Sequence, residues 1–282
     1  AFSDYETICD IDAVAAGQFD YVISTLDGSS MQSDEGRAFL RHSGEAIASS
    51  QTIFVCLGAA RDVEALILKQ TGLPMERCLF GSFSFLSHNV PLPTQRFDTS
   101  IDKPSLSECD YAYTHLGKNK AGLVLFRKNQ KLAKQFAEIY GRSGVSTCSV
   151  MPNFKIVDCL SYFLAPSFVA FEIEAWPEPK DIYKSETWGL AEKATLEIFA
   201  LPQHGFLGKI VAVLSRPFNI LTKMYKNMDA DAVPLDFHAF NKFHHGGKVL
   251  EQDLEMARCT LEAEEQRGRK MPNLRALLAR LD

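Results

Sequence analysis

The chain lacks the signatures of several large protein classes. In its 282 residues no apolar run approaches the roughly 20 residues needed to span a bilayer; the longest, near 160–173 and 206–214, are interrupted or short. That excludes a membrane-spanning helix. The opening AFSDYETICDIDAV has neither a basic flank nor an apolar stretch, so this segment is not expected to be a signal peptide. It also has no initiator Met, so a processed, tagged or incomplete start is expected. There is no surplus of positive charge: Lys+Arg number 30 against Asp+Glu 35, a net charge of −5, which argues against a nucleic-acid partner. Seven cysteines stand at 9, 56, 78, 109, 148, 159 and 259, an odd count without a CxxC pair. Neither a disulfide framework nor zinc ligation is expected, because no Cys/His pair has ligand spacing. Cys56 lies in an apolar run and Cys159 beside another, as buried free thiols would in a reducing, cytoplasmic compartment.

What is present is ordinary globular material, with 46% hydrophobic and 23% charged residues. A chain this long buries a sizeable core as one large or two medium domains. The first half alternates strand and helix signals. FDYVIST (19–25) and TIFVCLG (52–58) are short, continuous apolar runs closed by turn residues, the pattern of buried parallel strands. RCLFGSFSFL (77–86) reads as a third strand, and GLVLFRK (122–128) and VSTCSVMPN (145–153) as later ones. Between them, 34–48, 61–72 and 129–144 carry helical spacing, with Gly72 placed to end the second helix. This β-α-β-α-β rhythm predicts an α/β fold with a parallel sheet and right-handed crossovers. Pro91, Pro93 and Pro104 make 87–110 a loop or irregular hairpin.

From about 154 the pattern becomes helical. Residues 156–176 are apolar on most sides, so a long buried helix kinked at Pro166 is expected. Helices follow at 185–201, within 206–226, at 249–267 and at 273–281. The boundary falls near 150, giving an α/β part (1–150) and an all-helical part (151–282).

Phosphate-cradling loops of the forms GxGxxG and GxxxxGK[ST] are missing, as is the GxSxG of a nucleophile elbow. Ligands of open parallel sheets nevertheless sit outside the carboxyl ends of the strands, which here carry Thr25-Leu26-Asp27 and Leu57-Gly58-Ala59. Asp27 and Gly58 also suit ordinary turns. The densest polar cluster is DFHAFNKFHHGGKVLEQD (236–253), holding His238, Asn241, Lys242, His244, His245, Lys248, Glu251 and Asp253. His238, Asn241 and His245, spaced i, i+3, i+7, share a face if the helix is regular. Such a group supplies a proton donor, an anion-binding ammonium and an orienting amide; a solvated polar helix end is the plainer reading. Adjacent histidines diverge on a helix, which argues against a metal at His244/His245. Lys155 and Asp158 stand at the start of the apolar helix, where a lysine is either a proton donor of lowered pKa or a snorkelling surface charge.

The order of segments resembles the ketopantoate reductase family. FDYVIST, TIFVCLGAARDVEAL and ERCLFGSFSFLS follow that family's D-x-V-I-x-A-T-K, Q-N-G and R-V-x-G-G stretches. GGKVLEQDLEMARCTLEAEEQRGRKMPNLRALL is similar to its later G-x-P-T-E-I-x-x-I-N-G…G-I-P-T-P stretch. The resemblance implies an NADPH-binding Rossmann-like domain followed by a helical domain like the C-terminal one of 6-phosphogluconate dehydrogenase. A 2-keto acid would be reduced in the cleft between them. It implies, too, that the GxGxxG segment and the basic residue for the 2′-phosphate precede the first residue here, so that the sheet is incomplete, through truncation or loss.

The motif residues depart from the family. Leu26-Asp27 stands where the family has Lys, and Leu57-Gly58-Ala59 replaces Gln-Asn-Gly. Lys155 is the nearest counterpart of the general-acid Lys, although register from Pro166 places Val157 there. The substrate-binding Glu falls near Glu251 or Asp253. HHGGK (244–248) lies outside the family pattern and marks a divergent substrate.

Three expectations follow. The first is an NADP-dependent reductase of a 2-keto acid or related small carbonyl compound. In it Lys155, or Lys248 with His245, gives the proton, and Asn241, His244 and Glu251 or Asp253 bind substrate. Thr25, Leu26, Asp27 and Gly58 border the cofactor. The second is a non-catalytic binding or scaffold relative. The third, compatible with either, is a homodimer formed through the helical part, whose apolar helix exceeds what a small helical domain easily covers.

Overall fold

The computed structural model describes residues 6–9, 19–58, 60, 62–89, 110–116, 121–126, 129–151, 163–216, 219–232 and 235–281. In chain order the elements are β1 (Tyr21–Ser24), α1 (Gly28–Gln32), α2 (Asp34–Ile47), β2 (Ile53–Cys56), α3 (Val63–Thr71), β3 (Cys78–Phe83), β4 (Phe85–Asn89), β5 (Tyr111–His115), β6 (Ala121–Phe126), α4 (Gln130–Gly141) and β7 (Thr147–Met151). Helices follow: α5 (Ala165–Ile173), α6 (Pro179–Ile182), α7 (Glu186–Phe199), α8 (Gly205–Leu214), α9 (Ile220–Ala232), α10 (Phe237–Phe243), α11 (Leu250–Gln266) and α12 (Pro272–Leu278), with a π-helical turn at His244–Lys248 joining α10 to α11. The chain divides into two compact units. One is Ala1–Phe83, Leu123–Ser143 and Cys148–Pro152; the other is Ser84–Gly122, Gly144–Thr147 and Asn153–Asp282.

In the first unit the sheet order is β1-β2-β3-β6-β7. The β1–β2 and β2–β3 pairs are parallel, and β6 runs antiparallel to β3. The sheet is therefore parallel in its first three strands and mixed beyond them, where a wholly parallel sheet was expected. The apolar runs are continuous because both faces are covered. Phe54, Cys56, Cys78 and Phe80 meet Leu40, Ile47 and Ile67 of α2 and α3 on one face, while Val55, Leu57 and Leu79 meet Ala133 and Phe136 of α4 on the other. Each fully buried side chain of this kind contributes about 1.5–3 kcal/mol. Tyr140 packs beside Phe136, whereas Phe39 and Ile139 are exposed. Ser33 and Asn129 cap α2 and α4, and Gly72 ends α3 in the left-handed conformation (φ 67°). Arg77 ties the end of α2 to the sheet, donating to the carbonyls of Ile47, Ala48 and Thr52. Cys56 and Cys78 are free thiols that burial pushes up to about 11, too high for a reactive thiolate at neutral pH.

The expected third strand is two strands. It breaks at Ser84, whose hydroxyl donates to the Ala121 carbonyl, and continues as β4, which forms an antiparallel hairpin with β5 in the second unit.

The second unit is built around α7, which packs against α5, α8, α9 and α12. Two of its acids cap neighbouring helices. Glu192 accepts from the backbone N–H groups of Leu221 and Thr222 and from the Thr222 hydroxyl, and Glu197 accepts from those of Asn273 and Leu274. Trp188, fully buried, donates its indole N–H to Thr222. Pro166 stands in the first turn of α5, where its missing N–H costs nothing, so it starts this helix rather than kinking it. After α5 the chain turns through Ala175 and Trp176, both at positive φ (57° and 56°), a conformation L-residues hold only under constraint. Among the described residues no helix is long and apolar enough to cross a membrane.

Candidate functional site

The candidate site of the helical unit is a π-helical turn. Gly246 and Gly247 follow two histidines, and the turn closes one residue wider than an α-helix, with Val249 N–H donating to the His244 carbonyl. Such insertions re-aim side chains and recur at functional sites. Gly246 is required by contact: a Cβ there would lie 2.6 Å from Nε1 of Trp176. Trp176 is itself fixed, stacked on Phe171 and donating its indole N–H to Glu172 at 2.8 Å. The strained Ala175–Trp176 turn thus presses a buried indole against the wide turn.

The wide turn breaks the regular helix on which His238, Asn241 and His245 would share a face. His245 leaves that face: its Nδ1 lies 2.7 Å from Oδ2 of Asp253, and its ring stacks on Phe168 with centroids 3.6 Å apart. Asp253, on the first turn of α11, is 5% exposed. A buried carboxylate at one ring nitrogen fixes the tautomer and leaves Nε2 as the working atom. Between the two acids that the sequence left open, the geometry brings Asp253 to His245, whereas Glu251 points to solvent, as does Lys248. Asn241, 2% exposed, is committed inward: its amide donates to the Phe237 carbonyl at 2.6 Å and hydrogen-bonds the Tyr225 hydroxyl. Tyr225 also stands 3.4 Å from Nδ1 of His238. Burial lowers the pKa of His238 and raises that of Tyr225 well above its ordinary value. Phe168, Trp176 and Tyr225 complete the arrangement; only the Gly-Gly pair in HHGGK hinted at a special turn.

His244 stacks on Phe240 and sits edge-on to His245. Burial first, then the neighbouring His245 and Lys248, lower its pKa to about 4. The unfolded chain takes up this proton near 6.5 and the folded chain only near 4, so folding stability falls as pH drops through that window. The expected loss between pH 7 and 5 is about 2 kcal/mol. Urea unfolding at the two pH values measures it; His244→Gln should reduce the difference, leaving the share of His238, whose pKa burial also lowers, and an equal slope in the variant would assign the effect elsewhere.

At the strand ends of the first unit, Thr25 and Asp27 are exposed, and Asp27 caps α1 by accepting from Ser30 N–H at 2.7 Å. Gly58 approaches the backbone of Leu26 so closely that a Cβ would fall 2.1 Å from its carbonyl oxygen. Beside them, the Ser24 hydroxyl is buried with no hydrogen-bond partner among the described residues. An orphaned buried hydroxyl, the open Thr25 hydroxyl and a close backbone approach fit one edge of a nucleotide; no phosphate cradle accompanies them among the described residues. Lys155 and Asp158 lie outside the described residues. Among the described residues no group of three or more His, Cys, Asp or Glu could hold a metal ion.

The fold is that of ketopantoate reductase and of the related D-mandelate dehydrogenase. D-mandelate dehydrogenase in complex with NADH matches with a TM-score of 0.58 at 12% identity, covering 94% of this chain and 78% of that one. 2-Dehydropantoate 2-reductase from Geobacter metallireducens GS-15 matches with a TM-score of 0.55 at 13% identity, covering 96% and 78%. The ternary form of D-mandelate dehydrogenase, with NADH and anilino(oxo)acetate, matches at 0.53 and 12% identity, covering 93% and 75%. No protein-family model matches the chain, and no curated protein matches it in sequence. The architecture is shared at 12–13% sequence identity.

Proposed function

We propose that this chain is a cytoplasmic, nicotinamide-dependent oxidoreductase that reduces a small 2-keto acid or related carbonyl compound, with NADPH as its cofactor. The observation that carries this reading is the His245–Asp253 pair, formed across a wide turn in a fold shared with a dehydrogenase and a reductase. Thr25, Leu26, Asp27 and Gly58 would border the cofactor, with Ser24 as a further hydroxyl. A reduced nicotinamide supplies hydride when bound. The chain's own part is the proton and the orientation of substrate. With Nδ1–H donated to Asp253, Nε2 of the imidazolium gives its proton to the carbonyl oxygen, and the carboxylate offsets the ring charge. The Lys248 ammonium, exposed one turn away, would hold the substrate carboxylate. Asn241 would act at one remove, through the Tyr225 hydroxyl and His238. Lys155 remains a second proton donor in this proposal.

A second reading, a non-catalytic relative, is favoured by two groups at the strand ends that the fold itself uses: Asp27 caps α1, and the space beside Gly58 is filled by Leu26 and Met31. Calorimetric titration with NADPH and NADH, followed by turnover assays over a panel of 2-keto acids, separates the two. Micromolar binding with turnover supports the reductase; no binding at millimolar cofactor leaves only the second reading.

A further inference from the structure

Among the described residues a cavity lies at the junction of α11 and α12, at the opposite end of α11 from Asp253. It has a volume of about 400 Å³ and is lined by Glu265, Arg269, Lys270, Met271 and Arg275, among others. That volume lies in the range of small-ligand sites. Three of these side chains are cations, and the one carboxylate is already spent: Arg275 donates to Glu265 through both Nε and Nη2. Arg269 is held from behind by Glu264, a fully buried carboxylate whose other oxygen accepts from Arg267. A guanidinium carries five N–H donors, so each arginine keeps free donors after its carboxylate is paired. Lys270 has no ion pair among the described residues.

The backbone here is as fixed as the side chains. α11 ends in a Schellman motif: Gly268 takes φ 73°, Arg269 N–H donates to the Glu264 carbonyl, and Gly268 N–H donates to that of Glu265. Met271 is buried, and Glu197 holds the first turn of α12. Between 264 and 275 four cations face two carboxylates, in a chain of net charge −5. A rigid cationic cavity on an acidic protein concentrates anions.

We propose that this cavity binds a phosphorylated small molecule, with Arg269 and Arg275 as preorganised donors and Lys270 as the mobile counter-charge. None of these residues belongs to the proposed cofactor or substrate sites, so the test holds whether or not the chain reduces a 2-keto acid. The probe is inorganic pyrophosphate, titrated calorimetrically at low ionic strength, with citrate as a carboxylate comparison. Saturable one-to-one binding of pyrophosphate is expected, at least tenfold weaker in Lys270→Glu and unchanged in Lys223→Glu, which makes the same change in net charge at an exposed position of α9. Circular dichroism checks that both variants are folded. Absence of saturable binding at millimolar pyrophosphate overturns the proposal. So does equal affinity in Lys270→Glu, or citrate binding as tightly as pyrophosphate.

Discussion

Asp253→Asn is expected to lower turnover of a 2-keto acid by about 10²- to 10⁴-fold, with little change in KM. The substitution keeps size and shape at a buried position, so the α11 turn that carries Asp253 should survive it. What it removes is the negative charge 2.7 Å from Nδ1 of His245. An amide at that distance offers either its oxygen or its NH₂ to the ring, so the tautomer is no longer dictated. It also gives no electrostatic support to an imidazolium. Because Asp253 reaches the substrate only through the ring, its loss should appear in kcat. His245→Gln should cost as much, and the double variant little more, since two residues serving one proton transfer do not add. Lys248→Ala should behave in the opposite way, raising KM for a carboxylate substrate with kcat less affected. A kcat for Asp253→Asn within about threefold of the unaltered chain would remove His245 from the proton path. The proposed Lys155 would then be the donor to test.

The parts of this molecule that the sequence predicts well are those where local chemistry and burial agree. β2 is buried on both faces, so its apolar run is unbroken and β-branched residues mark it. Gly72 ends a helix where a left-handed residue is needed. The antiparallel direction of β6 was not legible, because a strand covered on both faces reads the same in either direction. The break at Ser84 was hidden for a similar reason: the apolar pattern runs across it. At the site, the residue types in 236–253 were visible, but their partners were not. Helical periodicity extended His238 and Asn241 to His245, and one extra residue in the wide turn sent that ring to Phe168 and Asp253. The indole of Trp176 that fills the space against Gly246 lies 70 residues earlier in the chain, which no local pattern could register.

Gly58→Ala is expected to destabilise the sheet unit by about 3–5 kcal/mol. The cause is space rather than backbone conformation, since Gly58 is not among the positive-φ glycines. A Cβ at Gly58 would fall 2.1 Å from the Leu26 carbonyl oxygen and 2.7 Å from Cε of Met31. The methionine tip could move; the carbonyl cannot move alone. Leu57 N–H donates to the Ser24 carbonyl at 3.0 Å, Leu26 packs into the core, and Asp27 caps the helix that follows. Relief therefore requires the ends of β1 and β2 to part, which strains the strand pairing behind them. Gly72→Ala makes the control. No atom lies within 4 Å of a Cβ there, and its φ of 67° costs only about 1 kcal/mol. The readout can be assigned to a unit because both tryptophans, Trp176 and Trp188, lie in the helical one. A fall of roughly 15–20 °C in the midpoint followed by far-UV circular dichroism is expected for a loss of this size in a unit of this length. Tryptophan emission that keeps its own midpoint places the damage in the sheet. The same separation of strand ends would disturb Thr25, Leu26 and Asp27, so Gly58→Ala should also weaken nicotinamide binding, while Gly72→Ala leaves it unchanged. An alanine variant as stable as the unaltered chain would mean that the strand ends part freely, and a rigid cofactor edge could not be built on them.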